Sequence, residues 1–117
     1  IGKDVPVNEA LNNLEAIIQS IARDYPLTEI KLLSILPVNE GEEYKQTVYI
    51  RTNEKIQKWN QAYQELASAY MQVEFVPVFD SLIDQEGQLK KDYTTDGLHL
   101  SVPGYHVLTK SLKDYLL

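Results

Sequence analysis

The sequence has 117 residues, enough for one ordinary globular domain, and 44% of them are apolar. Its 17 acidic side chains outweigh 11 basic ones, giving a net charge of −6; the densest positive pair, Lys90-Lys91, has Asp92 beside it, which argues against nucleic acid or an acidic membrane surface as a partner. Without cysteine the chain has no disulfide scaffold, thiolate zinc site or cysteine nucleophile, a usage that fits a cytoplasmic protein, and no apolar run reaches the ~18 residues of a membrane span.

Leu11, Leu14, Ile17, Ile18, Ile21 and Ala22 recur every three or four residues and predict a helix over 7–24, stopped by Pro26. The short apolar run 30–36 ends at Pro37 and predicts a buried strand. Residues 37–51 lack a period and read as a long loop, with Glu40, Glu42 and Glu43 solvated. Thr52 is placed to cap a second helix over 53–70, striped by Ile56, Trp59, Tyr63, Leu66, Ala67 and Tyr70, and this tryptophan and the tyrosines at helical spacing are expected in the core. A second strand is predicted over 73–79, near an edge or ending early because Pro77 donates no hydrogen bond. An irregular stretch over 80–100 comes next. Ser101 is then placed to cap the last helix, with Pro103 in its first turn and Tyr105, Leu108, Leu112, Tyr115 and Leu116 along one stripe.

Alternating helices and strands imply parallel pairing with right-handed crossovers, an α/β architecture. Two strands are too few to be covered on both faces and leave a raw sheet edge, so the pattern reads as half of a doubly wound sheet. The chain also begins at Ile1 rather than methionine, and is expected to be a processed product or a piece of something longer.

Sites in open parallel sheets form beyond the carboxyl ends of the strands. The loop 80–100 leaves such an end and carries Asp96-Gly97-Leu98-His99 directly before a helix. A histidine acting as general base needs its second ring nitrogen held by an acceptor, and a carboxylate three residues earlier, on a turn that Gly97 permits, reaches it. The same four residues admit a plainer reading, with Asp96 capping a turn and His99 on the surface. His106, seven residues on, would need Asp92 beside Asp96 and His99 to complete a metal site, and reads instead as a helix-surface residue; neither a metal nor a cofactor is expected.

The stretch from Asp96 through His99 to Gly104-Tyr105 resembles the last block of the GDSL/SGNH hydrolases, in which Asp-x-x-His precedes a small residue and Gly-Tyr opens the final helix. Leu33-Ser34-Ile35-Leu36-Pro37 resembles that family's strand ending in Leu-Pro, and Asn53 and Asn60 are similar to its common asparagines in the next helix. The resemblance covers essentially the whole chain and is similar to the branch that includes platelet-activating-factor acetylhydrolases. It implies a three-layer α/β/α, flavodoxin-like fold, of which residues 1–117 are roughly the C-terminal half. It further implies ester hydrolysis through an acyl-enzyme, with His99 moving the serine proton and Asp96 holding His99, and a small-molecule ester as substrate; the loop 37–51 is then expected to overhang the acyl pocket.

The departures concern the nucleophile. No Gly-Asp-Ser occurs, and Asp80-Ser81 comes after the wrong strand and lacks the glycine. Ile1-Gly2-Lys3-Asp4 carries no asparagine and is expected to stand at or just past the family's Gly-x-Asn-Asp block. Two triad members and no oxyanion hole are therefore expected, with the missing N-terminal half or another copy of the chain as the partner along the open sheet edge. Two other readings remain: a non-catalytic α/β binding module with Asp80 as its acidic group, and a truncated structural remnant.

Overall fold

The computed structural model describes residues 7–116 in the order α1 (Val7–Asp24), β1 (Ile30–Leu33), a 3-10 turn (Glu42–Tyr44), α2 (Lys45–Val48), α3 (Asn53–Ser68), β2 (Val73–Val76), two 3-10 turns (Phe79–Leu82 and Lys91–Tyr93) and α4 (Val102–Leu116). The expectation about residues 1–4 lies outside the described residues. β1 and β2 pair in parallel, from Ile30 opposite Val73 to Leu33 opposite Val76. The strand period of two puts Ile30, Leu32, Val73 and Phe75 on one face, where they pack with Leu14 and Ile18 of α1 and Leu66 and Ala67 of α3. Lys31 and Glu74, opposite each other in the register, form an ion pair. Tyr70, two residues beyond α3, ties the end of that helix to α1: its hydroxyl donates to Glu15 at 2.5 Å and accepts from Gln19 at 3.3 Å.

A second core gathers the segments that leave the two strands. Val38, Val48, Ile56 and Phe79 are buried together, with Ile35, Tyr44, Ile83 and Leu98 against them. Each long loop thus has an apolar anchor of its own, and Leu98 ties the segment before α4 to the segments after β1 and β2.

The predicted caps form. Thr52, extended at φ −133° and ψ 148°, accepts the Lys55 N–H at 3.2 Å and starts α3. Ser101 accepts from the Gly104 N–H at 3.4 Å, and Pro103 sits in the first turn of α4, where a missing donor costs nothing. Gly104 is buried, and a Cβ on it would stand 2.5 Å from the Tyr93 carbonyl oxygen, so α4 reaches the 91–93 turn only because this residue has no side chain.

Both strands are shorter than the apolar runs predicted. β2 stops at Val76, because Pro77 offers no N–H to continue the ladder. β1 stops at Leu33; the Ser34 N–H still reaches the Val76 carbonyl at 3.0 Å, and the next residues find other partners. The Asn60 side chain accepts the Ile35 N–H at 2.6 Å and donates to the Ile35 carbonyl at 3.1 Å. Asn53 does the same for Val38, at 2.8 and 2.7 Å. Ser34, itself buried, accepts the N–H groups of Val78 and Phe79, each at 3.1 Å, and fastens the exit of β2 to that of β1.

Three other expectations change. The loop 37–51 contains a 3-10 turn and α2, which ends at Tyr49 with φ 55° and ψ −118°, a strained backbone for a residue with a side chain. The stretch 80–100 contains two 3-10 turns and the isolated bridges Ile83 to Leu89 and Thr94 to Leu100. The aromatics are not core: Trp59, Tyr63, Tyr70 and Tyr115 are half-buried and Tyr105 is 55% exposed, because the sheet and helices of this chain leave those stripes partly open. Ile17, from the apolar stripe of α1, is likewise 57% exposed.

Asn60→Ala leaves the Ile35 N–H and carbonyl without partners at a part-buried site. The expected loss of stability is about 1–3 kcal/mol, since an unsatisfied buried polar group costs its desolvation, read as a lower urea midpoint at unchanged slope. A midpoint equal to the wild type would mean that water replaces the amide without cost.

Candidate active site

The segment 94–99 closes on itself. Asp96 Oδ1 accepts the backbone N–H of Leu98 at 2.9 Å and of His99 at 2.7 Å, and Oδ2 lies 2.6 Å from His99 Nδ1. One carboxylate therefore holds both the main chain and the ring of the histidine three residues on. Gly97 makes the turn possible: its φ is +83°, and a Cβ there would stand 2.5 Å from Tyr44 Cβ. Thr94, a buried residue, lies beneath. Its hydroxyl donates to the His99 carbonyl at 2.7 Å and accepts the Gly97 N–H at 2.9 Å. Asp96 Oδ1 is also 3.5 Å from Thr94 Oγ1, but the single hydroxyl proton goes to the nearer carbonyl.

The turn is fixed to the rest of the molecule by its neighbours. The Asn39 N–H donates to the Gly97 carbonyl at 2.9 Å, and Asn39 Nδ2 donates to the Leu89 carbonyl at 2.8 Å. The Ser101 N–H reaches the Tyr93 carbonyl at 2.8 Å, bringing the two ends of the segment together before α4 begins. Leu98 packs inward on the second core, while the His99 side chain is 74% exposed and that of Asp96 32%.

With Nδ1 committed to Asp96, Nε2 is the ring nitrogen left to exchange a proton with a bound group. The hydrogen bond from the His99 ring holds the Asp96 carboxyl well below the usual carboxylate range; partial burial opposes this, and the N–H groups of His99 and Leu98 add to it. Asp96 is therefore an anion throughout the neutral range, able to fix one tautomer of His99 and to stabilise the imidazolium.

On the inner side of the turn, where Leu98 lies, Ile35, Leu36, Ile56, Trp59, Tyr63 and Leu98 wall an apolar cavity of about 380 Å³, to which Val38 and Arg51 also contribute; Asp96 and His99 do not line it. The segment 37–51 thus bears on the site through Val38, through Tyr44 against Gly97, and through Asn39. Its acidic residues Glu40, Glu42 and Glu43 are exposed as expected, and two of them also make contacts: Glu40 accepts from Asn53 and from Gln88 at 3.2 Å, and Glu43 pairs with Lys91 at 3.1 Å. Asp80 and Ser81 are exposed on the turn Phe79–Leu82, and His106 is exposed on α4. Among the described residues, no three His, Asp or Glu side chains gather closely enough to hold a metal ion, and no helix is long and apolar enough to cross a membrane. Sequence reasoning singled out neither Thr94 nor Asn39. A hydroxyl residue two positions before an aspartate and three before a glycine is a turn-closing signal that would have flagged Thr94.

The lowered Asp96 value makes stability depend on pH with a definite sign. A carboxylate whose folded value lies below its free value of 3.8 favours the fold fully above that pH and ceases to do so as pH falls through the lowered value. Asp96→Asn is therefore expected to be less stable than the wild type near neutrality, with the gap narrowing in strong acid. Urea melts over that range check it, and a gap that does not change with pH would show that the carboxylate is not held this way.

The sequence model of the GDSL-like Lipase/Acylhydrolase family matches residues 1–107. No curated protein matches the chain significantly. Among solved structures, a protein from Streptococcus pneumonia provisionally described as a platelet activating factor is 86% identical, with a TM-score of 0.98 over 100% of this chain and 55% of its own. A provisionally described acylhydrolase from Bacteroides fragilis NCTC 9343 is 18% identical, with a TM-score of 0.75 over 94% of this chain and 51% of its own. A GDSL-like lipase from Bacteroides thetaiotaomicron VPI-5482 is 20% identical, with a TM-score of 0.75 over 96% and 53%. The last two show the shared α/β fold alone, and the chain spans about half the length of each of these structures. A family match over nearly the whole sequence and the same fold in all three structures lead to one conclusion: the chain belongs to the GDSL-like lipase/acylhydrolase family.

Proposed function

We propose that this chain is the base-bearing part of a serine ester hydrolase, with Asp96 and His99 as two members of a Ser-His-Asp triad. The observation that carries the reading is the 2.6 Å contact between Asp96 Oδ2 and His99 Nδ1 on a turn that also fixes the His99 main chain. In this reading a serine hydroxyl attacks the ester carbonyl while His99 Nε2 takes its proton. Collapse of the tetrahedral intermediate expels the alcohol, which receives that proton and leaves an acyl-serine. Water then repeats the exchange and releases the acid. Asp96 stays ionised throughout, holding the ring and stabilising its charge.

The serine and the oxyanion donors come, on this proposal, from a segment outside the 117 residues. Among the described residues β1 pairs with β2 alone, and Leu33 is 38% exposed. The free edge of β1 is where the remaining strands of the parent, or failing them a second copy of the chain, would pair. The substrate is a small ester.

Two outcomes test this. The purified 117-residue chain is expected to hydrolyse p-nitrophenyl acetate no faster than its His99→Ala variant, because the nucleophile and oxyanion donors carry most of the rate. Turnover well above that control would mean that the chain holds a nucleophile of its own. In the intact parent, His99→Ala is expected to cost about 10⁶-fold in kcat and Asp96→Asn about 10⁴-fold, since the amide still orients the ring but cannot stabilise its charge. A parent whose rate is indifferent to His99 would overturn the assignment.

A further inference from the structure

We infer that Thr94 is a positioning residue for the histidine base, acting through the His99 main chain; this rests on the reading of Asp96 and His99 as the base end of the triad. The His99 backbone is gripped at both poles. Its N–H goes to Asp96 Oδ1 at 2.7 Å and its carbonyl accepts from Thr94 Oγ1 at 2.7 Å. The second grip needs a hydroxyl, because the same oxygen must donate to the His99 carbonyl and accept the Gly97 N–H at 2.9 Å. Thr94 is 5% exposed and its backbone bridges to Leu100, so neither water nor a longer side chain can take that place without moving the turn.

The arrangement has a directional consequence. Asp96 fixes the ring at Nδ1, but a ring held at one nitrogen still swings if its own Cα moves. The Thr94 hydroxyl removes that freedom by locking the peptide plane that enters Gly97, the one residue of the turn with positive φ, and the peptide plane that leaves His99. Nε2 is then held to one approach line toward whatever it takes a proton from. A displacement of about 1 Å at a reacting atom costs on the order of 10²-fold in rate, so the hydroxyl belongs with the base and not merely with the packing.

The test uses the intact parent enzyme with Thr94→Val, which keeps the shape and removes the hydroxyl, Thr94→Ser, which keeps the hydroxyl, and Thr95→Ala as the exposed neighbour. Thr94→Val is expected to lose on the order of 10²-fold in kcat with KM nearly unchanged, and the downfield proton resonance of the His99 Nδ1–H is expected to shift or broaden. Thr94→Ser is expected to restore both, and Thr95→Ala to alter neither. A Thr94→Val enzyme that melts earlier but keeps its kcat and its Nδ1–H resonance at a temperature where it is folded would overturn the inference and leave Thr94 a structural residue. If Thr94→Val does not fold, Thr94→Ser decides: a loss of rate in that variant means the methyl, not the hydroxyl, matters, and the inference fails. His99→Ala runs alongside; full activity there would sink the triad reading itself, whereas its inactivity beside an unaffected Thr94→Val sinks only this inference.

Discussion

The side chains of Asn53 and Asn60 do for residues 35–38 what a neighbouring strand does for β1. Each amide pairs with both the N–H and the carbonyl of one residue, so each imitates a peptide group of a ladder. The geometry closes because seven residues of helix rise about 10.5 Å and three residues of extended chain span about 10 Å. Two turns of α3 therefore match three residues of drawn-out chain, and the backbone groups of Ile35 and Val38 are paired without a third strand among the described residues. Both asparagines are buried, where an unpaired backbone group would be costly.

The turn that bears Asp96 and His99 is fastened to this segment. The Val38 carbonyl also accepts the Leu89 N–H at 3.0 Å, and the next residue, Asn39, reaches the Gly97 carbonyl and the Leu89 carbonyl. The segment is thus the common wall against which the two halves of the 80–100 stretch are laid. Glu40 and Gln88 extend the same network outward, each also bonded to Asn53. A stretch poor in regular structure is held by side-chain amides reading its backbone, while Val38, Phe79 and Leu98 fill the space beneath.

Much of this was legible in the sequence, for reasons that are local. The bounds of α1 come from its apolar spacing, and the starts of α3 and α4 from Thr52 and Ser101, whose hydroxyls accept from the first turns. The meeting of Asp96 with His99 comes from a three-residue spacing and a glycine. What was not legible depends on partners distant in sequence. Strand lengths were overestimated because apolar runs do not reveal that Asn60 takes over the backbone of Ile35. Trp59 and Tyr63 read as core by periodicity, yet they wall an open cavity, since burial depends on what lies opposite a stripe. The roles of Asn39 and Thr94 were hidden because a short polar side chain in a loop announces itself only once its backbone partner is known.

The closeness in sequence of Asp96, His99 and Thr94 bears on how the molecule is made. Contacts three and five residues apart close almost no loop, so their entropic cost is small and they form on the timescale of a local turn. The contact of Asn39 with Gly97 instead spans half the chain and waits for the slow, non-local stage of folding. The Asp96–His99 pair can therefore be assembled early as a small autonomous ring, and only afterwards be carried to its place. Interactions already made at the rate-limiting step govern the speed of folding, and those made after it govern the speed of unfolding. The ring would then belong to the making of the molecule, and the Asn39 contact to its endurance.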